Sequence, residues 1–381
     1  MSTSPTVAIT GTGVFTPSEI ITNDELVVAF NAYVDQWNAD NATAIEAGDL
    51  EPKQHSSAEF INKASGIEQR YVLNKSGILD PARMAPHLRE RTWDEPGQMA
   101  EMALPAARDA LAQAGCTAED VDGVICAASN HERAYPAIAV EVQQLLGVDG
   151  FAFDMNVACS SATFGIQAAA DMIRAGSVKR ILMVNPEICS AHLEWRDRDC
   201  HFIFGDVCTA MLLEAVDDSK GADKDGGFEI ISTRLKTSFS NNIRNDAGFL
   251  RRTRDGHMED RRDMLFQQEG RKVFREVVPM VSQLMLEHLA DNGVEPADLK
   301  RLWLHQANKS MNDLIAKKVL GGEPEEGQQP NILQDYANTS SAGSMIAFSK
   351  YSDDLKPGDT GIICSFGAGY SVGSVIVRKR A

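Results

Sequence analysis

A chain of 381 residues with 43% hydrophobic and 24% charged side chains is long enough for two packed lobes and has an ordinary globular make-up. Its formal charge of −17 repels a phosphate backbone and argues against nucleic acid as a partner. No charged-then-apolar leader and no apolar run of spanning length is present, which argues against secretion and membrane insertion and points to the cytoplasm; seven cysteines without a C-x-x-C pair argue against a disulfide framework or a structural zinc site.

In chain order, "TVAITGTGVFTP" (6–17) reads as a strand closed by Gly and Pro. Its GTG resembles the start of a dinucleotide loop, but Thr16 stands where the third glycine belongs and Pro17 follows, so the strand reading wins. "TNDELVVAFNAYVDQW" opens with a capping box from Thr22 to Glu25. Leu26, Phe30, Tyr33 and Trp37 then recur at helical spacing, which predicts a helix laying an apolar stripe on the body. The region 31–97 holds polar, Pro- and Gly-dotted stretches, chiefly 31–57 and 75–97, that read as irregular insertions. From residue 98 helical and strand patterns alternate.

Three segments occur twice in the same order. "EDVDGVICAASN" (119–130) matches "ADLKRLWLHQAN" (297–308), and "FDMNVACSSATFGIQAA" (153–169) matches "LQDYANTSSAGSMIAF" (333–348) as a strand followed by a Ser-rich helix start. "FGDVCTAMLLEA" (204–215) matches "FGAGYSVGSVIVRK" (366–379). The repetition predicts two similar α/β halves, 1–220 and 221–381, packed in layers about a pseudo-twofold axis. The N-terminal half carries Cys159 and the C-terminal half carries His305 and Asn338, and the axis brings Cys159 close to Asn338.

A cysteine at a helix start meets free N–H groups and the positive end of the helix dipole, which favour a thiolate. A neighbouring imidazole exchanges its proton, and a carboxamide N–H polarises a carbonyl oxygen. Cys159, His305 and Asn338 together therefore suit covalent thioester chemistry. Cys126, Cys208 and Cys364 lie in apolar strand contexts and read as structural, with Cys189 and Cys200 as weaker nucleophile candidates.

"NVACSSATFGIQAA", "HFIFGD", "HQAN", "ANTSSAG" and "CSFGAGYSVGS" resemble the β-ketoacyl-acyl carrier protein synthase III family of the thiolase fold, and within it the longer, medium-chain-priming β-ketodecanoyl type. The resemblance implies an αβαβα arrangement and a cytoplasmic homodimer. It implies a decarboxylative Claisen condensation in which Cys159 takes an acyl group from acyl-CoA. His305 and Asn338 then hold the thioester carbonyl of malonyl-acyl carrier protein while CO2 leaves. It further implies an oxyanion hole from the N–H groups of Cys159 and Ala368, Phe366 beside the malonyl site, and Tyr135 reaching the partner's acyl pocket; no metal or redox cofactor is needed. CoA contacts fall on Arg198, Phe60 and Asn308, with Phe60 and Ala64 replacing the family's Trp and Arg, so the CoA site is altered and a carrier-protein donor stays open. Ala337 and Ala368 replace glycines of the family pattern.

Carrier proteins are acidic, as is this chain, so docking needs local positive charge. Arg271 and Arg275 lie four apart on one helical face with Lys272 beside them, and Lys309, Lys317 and Lys318 add to the set. Rival readings are a type III polyketide-like or head-to-head condensing enzyme of the same fold, a papain-like hydrolase that shares the order Cys, His, Asn, and a non-catalytic acyl-binding protein.

Overall fold

The computed structural model describes residues 5–216, 226–255 and 262–381. The expected division at residue 220 lies outside the described residues. Nine strands follow the order Leu299–Leu304, Thr360–Gly367, Gly369–Lys379, Phe228–Ser240, Thr6–Phe15, Asp206–Val216, Arg180–Ile188, Gly123–Ala127, Phe151–Met155. The middle junction, between Thr6–Phe15 and Phe228–Ser240, is antiparallel and pairs only Ala8 with Glu229 and Ile9 with Phe228. Strand order is symmetric about this junction. In each half a parallel pair is followed by an antiparallel return: Gly123–Ala127, Arg180–Ile188 and Asp206–Val216 on one side, Leu299–Leu304, Thr360–Gly367 and Gly369–Lys379 on the other.

Side-chain alternation sorts the strands into layers. Ile125, Ile181, Met183, Met211 and Leu213 of one half and Ile363, Val375 and Val377 of the other enter a single core around Ala162, Ile166 and Ala169 of helix Ser161–Arg174 and Met345 and Phe348 of helix Gly343–Lys350. The alternate residues Val124, Cys126, Leu182 and Leu212 pack outward on helices Gln98–Gln113 and Ile138–Leu146. Leu302, Leu304, Ile362 and Ile376 do the same on helices Gly270–Asp291 and Lys309–Leu320. The layers thus run helix, sheet, helix, sheet, helix, and the Ser-rich helix starts meet in the middle layer, as the repeats predict.

Two expectations change. Among the described residues the second half has no counterpart of strand Phe151–Met155, because Leu333–Tyr336 closes into a helical turn where a strand was expected. The inserted region is more ordered than its composition suggests: helix Asn23–Asp40, with the Thr22–Glu25 capping box formed, runs well past residue 31, and Ala42–Glu46, Ala58–Ser65 and strand Gln69–Val72 follow before the looser stretch 75–97. Asn23, Leu26, Ala29, Phe30 and Val34 are the buried residues of that first helix, while Tyr33 and Trp37 are partly covered by Lys53 from the insertion.

The GTG stretch also finds its physical reason. Ala106 and Ala110 give helix Gln98–Gln113 a small-residue face, and Gly11 and Gly13 let the strand press directly on it. A Cβ on Gly11 would lie 2.0 Å from the Ala110 carbonyl oxygen, and one on Gly13 2.0 Å from that of Ala106. Gly13→Ala forces this backbone contact apart and should destabilise the fold by about 2–3 kcal/mol. A denaturant midpoint equal to wild type would contradict the contact.

Candidate active site

Cys159 stands on a tight turn rather than inside the helix that follows. Ala158 takes a left-handed conformation (φ 48°), the Ser160 N–H donates to Val157 O at 3.0 Å, and helix Ser161–Arg174 starts immediately after. The sulfur thereby sits ahead of a helix N-terminus. The turn closes because the Ser161 hydroxyl donates to Ala158 O at 2.7 Å and accepts from Val157 N–H at 2.8 Å. On the opposite strand Gly367 faces the nucleophile, and a Cβ there would meet Cys159 Cβ at 2.7 Å and Sγ at 3.1 Å. Only glycine admits the strand at this distance.

Asn338 comes from the other half and is strapped across the seam. Its N–H donates to Ile203 O at 2.9 Å, and its C=O accepts from Gly205 N–H at 3.2 Å. The Ser340 N–H donates to its Oδ1 at 2.9 Å, so the Nδ2 end of the carboxamide is left for the cavity. His305 follows strand Leu299–Leu304, is 2% exposed, and packs edge-to-face on Phe366 with ring centroids 5.2 Å apart. Its Nδ1 lacks a hydrogen-bond partner of good geometry.

Cys159, His305, Asn338 and Phe366 line one cavity of about 790 Å³. Phe202, Ile203, Phe204, Phe266, Phe274 and Met311 make much of its wall apolar, and Phe60, Asn308 and Arg271 also line it. The structure therefore brings together the three residues that the duplicated loops single out, one from the first half and two from the second.

Burial pushes the Cys159 thiol up to about 11, while the Ser340 hydroxyl and the backbone amides of Cys159 and Ala368 pull the other way and the Glu187 carboxylate adds to the rise. The two amides expected to form an oxyanion hole therefore both act at the sulfur. Burial pushes His305 down to about 4, opposed only by the Ser340 backbone, so the imidazole is neutral near pH 7. Cys126, Cys189, Cys200, Cys208 and Cys364 are all buried with thiols pushed upward by burial, whereas Cys159 is only partly buried; Cys159 and Cys200 both border the cavity.

The other expected residues are distributed as follows. Arg198 lies over Phe60, its guanidinium carbon 4.2 Å from the ring centroid, and its Nε donates to His55 O in the insertion at 2.8 Å. Asn308 caps helix Lys309–Leu320 through Met311 N–H at 3.2 Å and donates to Ala64 O at 2.6 Å, so structural duties occupy its amide. Tyr135 is 84% exposed and does not line the cavity of its own chain. Of the expected docking residues, Arg271 is exposed and also borders the cavity. Lys272, Arg275, Lys309, Lys317 and Lys318 are exposed on helices Gly270–Asp291 and Lys309–Leu320, with Lys309 paired to Asp313, Lys317 to Glu323 and Lys272 to Glu269. Among the described residues Cys126, His131 and Asp154 bring ligand-type atoms within 4.8 Å of one another, but none of the three lines this cavity.

Two residues of the site escape the sequence reading. Ser340 lies inside the "ANTSSAG" repeat, where the match of the two Ser-rich segments hides any single serine. Glu187 lies in "NPEICSAH", where Cys189 draws attention. It is 1% exposed and accepts from Ser129 N–H (2.9 Å) and Oγ (2.6 Å) in one half and Ser341 N–H (3.2 Å) and Oγ (2.5 Å) in the other. A charged residue inside a strand of the Ser-rich half is the signal that could have found it.

Comparison with known proteins agrees with this geometry. Residues 153–238 match the family model for 3-oxoacyl-acyl-carrier-protein synthase III, and residues 289–379 match the model for its C-terminal part. The chain is 58% identical over 351 residues to a beta-ketodecanoyl-acyl-carrier-protein synthase of Pseudomonas aeruginosa, covering 92% of this chain and 99% of the relative. It is 32% identical over 375 residues to a beta-ketoacyl-acyl-carrier-protein synthase III of Granulibacter bethesdensis, covering 97% and 98%. A 3-oxoacyl-acyl-carrier-protein synthase III from Aquifex aeolicus shares the fold with a TM-score of 0.75 at 24% identity, over 98% of this chain and 99% of that one. The chain belongs to the 3-oxoacyl-acyl-carrier-protein synthase III family of condensing acyltransferases.

Proposed function

We propose that the chain joins a medium-chain acyl group, delivered as acyl-CoA, to malonyl-acyl carrier protein with loss of CO2, giving a 3-oxoacyl carrier protein. The observation that carries this reading is the shared cavity: one thiol, one imidazole and one carboxamide converge on a single apolar-walled space. Condensation adds two carbons, so the ketodecanoyl product in the name of the Pseudomonas relative supports an eight-carbon donor.

In the first half-reaction Sγ of Cys159 bonds to the acyl carbon, the donor C–S bond breaks, and the cysteine proton ends on the departing CoA thiol. The developing oxyanion meets the N–H groups of Cys159 and Ala368, both already directed at the sulfur. In the second, Asn338 Nδ2–H and the His305 imidazole N–H donate to the malonyl thioester carbonyl. The C–CO2 bond then breaks, its electron pair passing into an enolate. The enolate carbon attacks acyl-Cys159, and the thiolate leaves. A neutral imidazole is what this step requires, since it donates a hydrogen bond without giving up its proton, and burial of His305 keeps it neutral.

A homodimer accompanies this reading. Strand Phe151–Met155 ends the sheet with Phe151 39% exposed, and Tyr135 stands free to enter a partner's acyl pocket. The chemistry separates this enzyme from a head-to-head condenser, which needs no malonyl donor, and from a mere acyl binder, which needs no covalent bond.

Incubation with an acyl-CoA panel followed by intact-mass measurement should give one acyl adduct, strongest for medium chains and absent in Cys159→Ala. Tyr135→Ala should change the preferred length. No adduct on the wild type would overturn the reading. Because the His305 pKa falls from 6.5 to about 4, its neutral form persists above the lower value. CO2 release from malonyl carrier protein should therefore stay level as pH drops through 6.5 and decline only toward 4, and an inflection near 6.5 would contradict the neutral donor. For the carrier protein, Arg275→Glu combined with Lys318→Glu should raise the KM for malonyl carrier protein about tenfold and leave acylation by CoA unchanged. Equal loss in both half-reactions would refute docking at this face.

A further inference from the structure

Ser340 touches two members of the reacting set and faces the third. Its hydroxyl donates to Cys159 Sγ at 3.3 Å, its N–H fixes Asn338 Oδ1 at 2.9 Å, and its backbone acts on the His305 imidazole. The residue is 2% exposed and holds a left-handed backbone (φ 50°), a conformation a non-glycine residue keeps only where its surroundings enforce it. The enforcing contact is next door: Ser341 spends both its N–H and its hydroxyl on the buried Glu187 carboxylate.

We infer that Ser340 is a further catalytic residue, whose hydroxyl hydrogen bond carries part of the negative charge on Cys159 sulfur when the thiolate forms and again when it leaves. The inference rests on the acyl-transfer reading of this site. It follows from what else surrounds the sulfur. His305 is neutral and offers no counter-charge, and Glu187 is a nearby carboxylate of the wrong sign. Stabilisation must then come from dipolar donors, and among those acting on the sulfur the Ser340 hydroxyl is the one supplied by a side chain; the other two are backbone amides. The remaining contacts of Ser340 use its main chain, so the hydroxyl can be removed without taking them away.

The test compares Ser340→Ala with Ser340→Gly. Alanine keeps the strained backbone, glycine relaxes it, and both lack the hydroxyl. The readout is the pH profile of Cys159 alkylation by iodoacetamide, which needs no substrate. Both variants should alkylate on the order of tenfold more slowly than wild type at a fixed pH below the thiol's titration, with the profile displaced to higher pH, as expected for a lost hydrogen bond to a charged group. Ser340→Ala should lose less of its CO2 release from malonyl carrier protein than of its alkylation rate, because its main-chain N–H to Asn338 remains. A wild-type alkylation profile in both variants, or slowing in alanine that glycine restores, would overturn the inference. So would parallel loss of alkylation and CO2 release. Wild-type protein that alkylates normally yet takes no acyl group would count against acyl transfer instead, and leave the role of Ser340 in thiol ionisation to be read from the variants.

Discussion

The site depends on a carboxylate that should not be comfortable where it is. Glu187 lies at the seam between the halves, buried, with four donors from Ser129 and Ser341 around it. Taking a carboxylate out of water costs several kcal/mol unless its lone pairs are met. Four hydrogen bonds meet most of that, but not all, since burial still pushes its pKa up to about 7. The same bonds fix the turn that begins at Ser340. Asn338 is tied independently through Ile203 and Gly205, and Gly367 clears the space in front of Cys159. Three reacting groups drawn from two halves are thus held by backbone and buried polar contacts rather than by flexible surface side chains, which is the kind of support that pre-organised chemistry needs.

Burial at the seam has a consequence for reactivity. With its thiol pushed up by burial, Cys159 is held protonated at neutral pH. In the proposed reaction the resting nucleophile is therefore a thiol, and its proton has to leave as the sulfur attacks. The helix end and the aligned donors lower the energy of the anion at that moment without producing a standing thiolate. The buried His305 fits the same logic. A protonated imidazole would compete as an acid with the enolate it is meant to stabilise, whereas a neutral one only donates a hydrogen bond.

Much of this was legible before any coordinates, because duplication puts its evidence in the order of the chain. The matched strands, the Ser-rich helix starts and the final Phe-Gly strands all fall on corresponding elements, and that correspondence alone predicted that Cys159 would face Asn338. What could not be read was local and steric. Leu333–Tyr336 looks like its strand counterpart in pattern but follows Asn331 and Ile332 into a helical turn, because that turn delivers Ala337 to φ 55° and swings Asn338 toward the seam. Gly11 and Gly13 could be excluded as a phosphate loop, yet their reason lies in a helix a hundred residues away. Ser340 and Glu187 were invisible because their importance is a matter of which atoms they touch across the seam, and repeat matching weighs every serine alike.

The charge balance shows how the substrate side is reconciled with an acidic chain. At −17 the whole molecule repels an acidic carrier at long range. Screening limits that repulsion to about 10 Å at moderate salt, so what an approaching partner feels is local. Several of the lysines that suggested a broad landing patch turn out to be partly neutralised, Lys309 by Asp313, Lys317 by Glu323 and Lys272 by Glu269. Those of the set with no ion pair among the described residues, Arg271, Arg275 and Lys318, lie on the two outer helices of the second half, and Arg271 reaches the cavity wall. Of these cations only Arg271 lines the cavity, where Arg262, Asp197 and Asp199 also stand. In the proposed reaction an acidic partner repelled elsewhere would meet its nearest cations beside the cavity that holds Cys159, so the overall negative charge would sharpen the orientation of approach instead of opposing it.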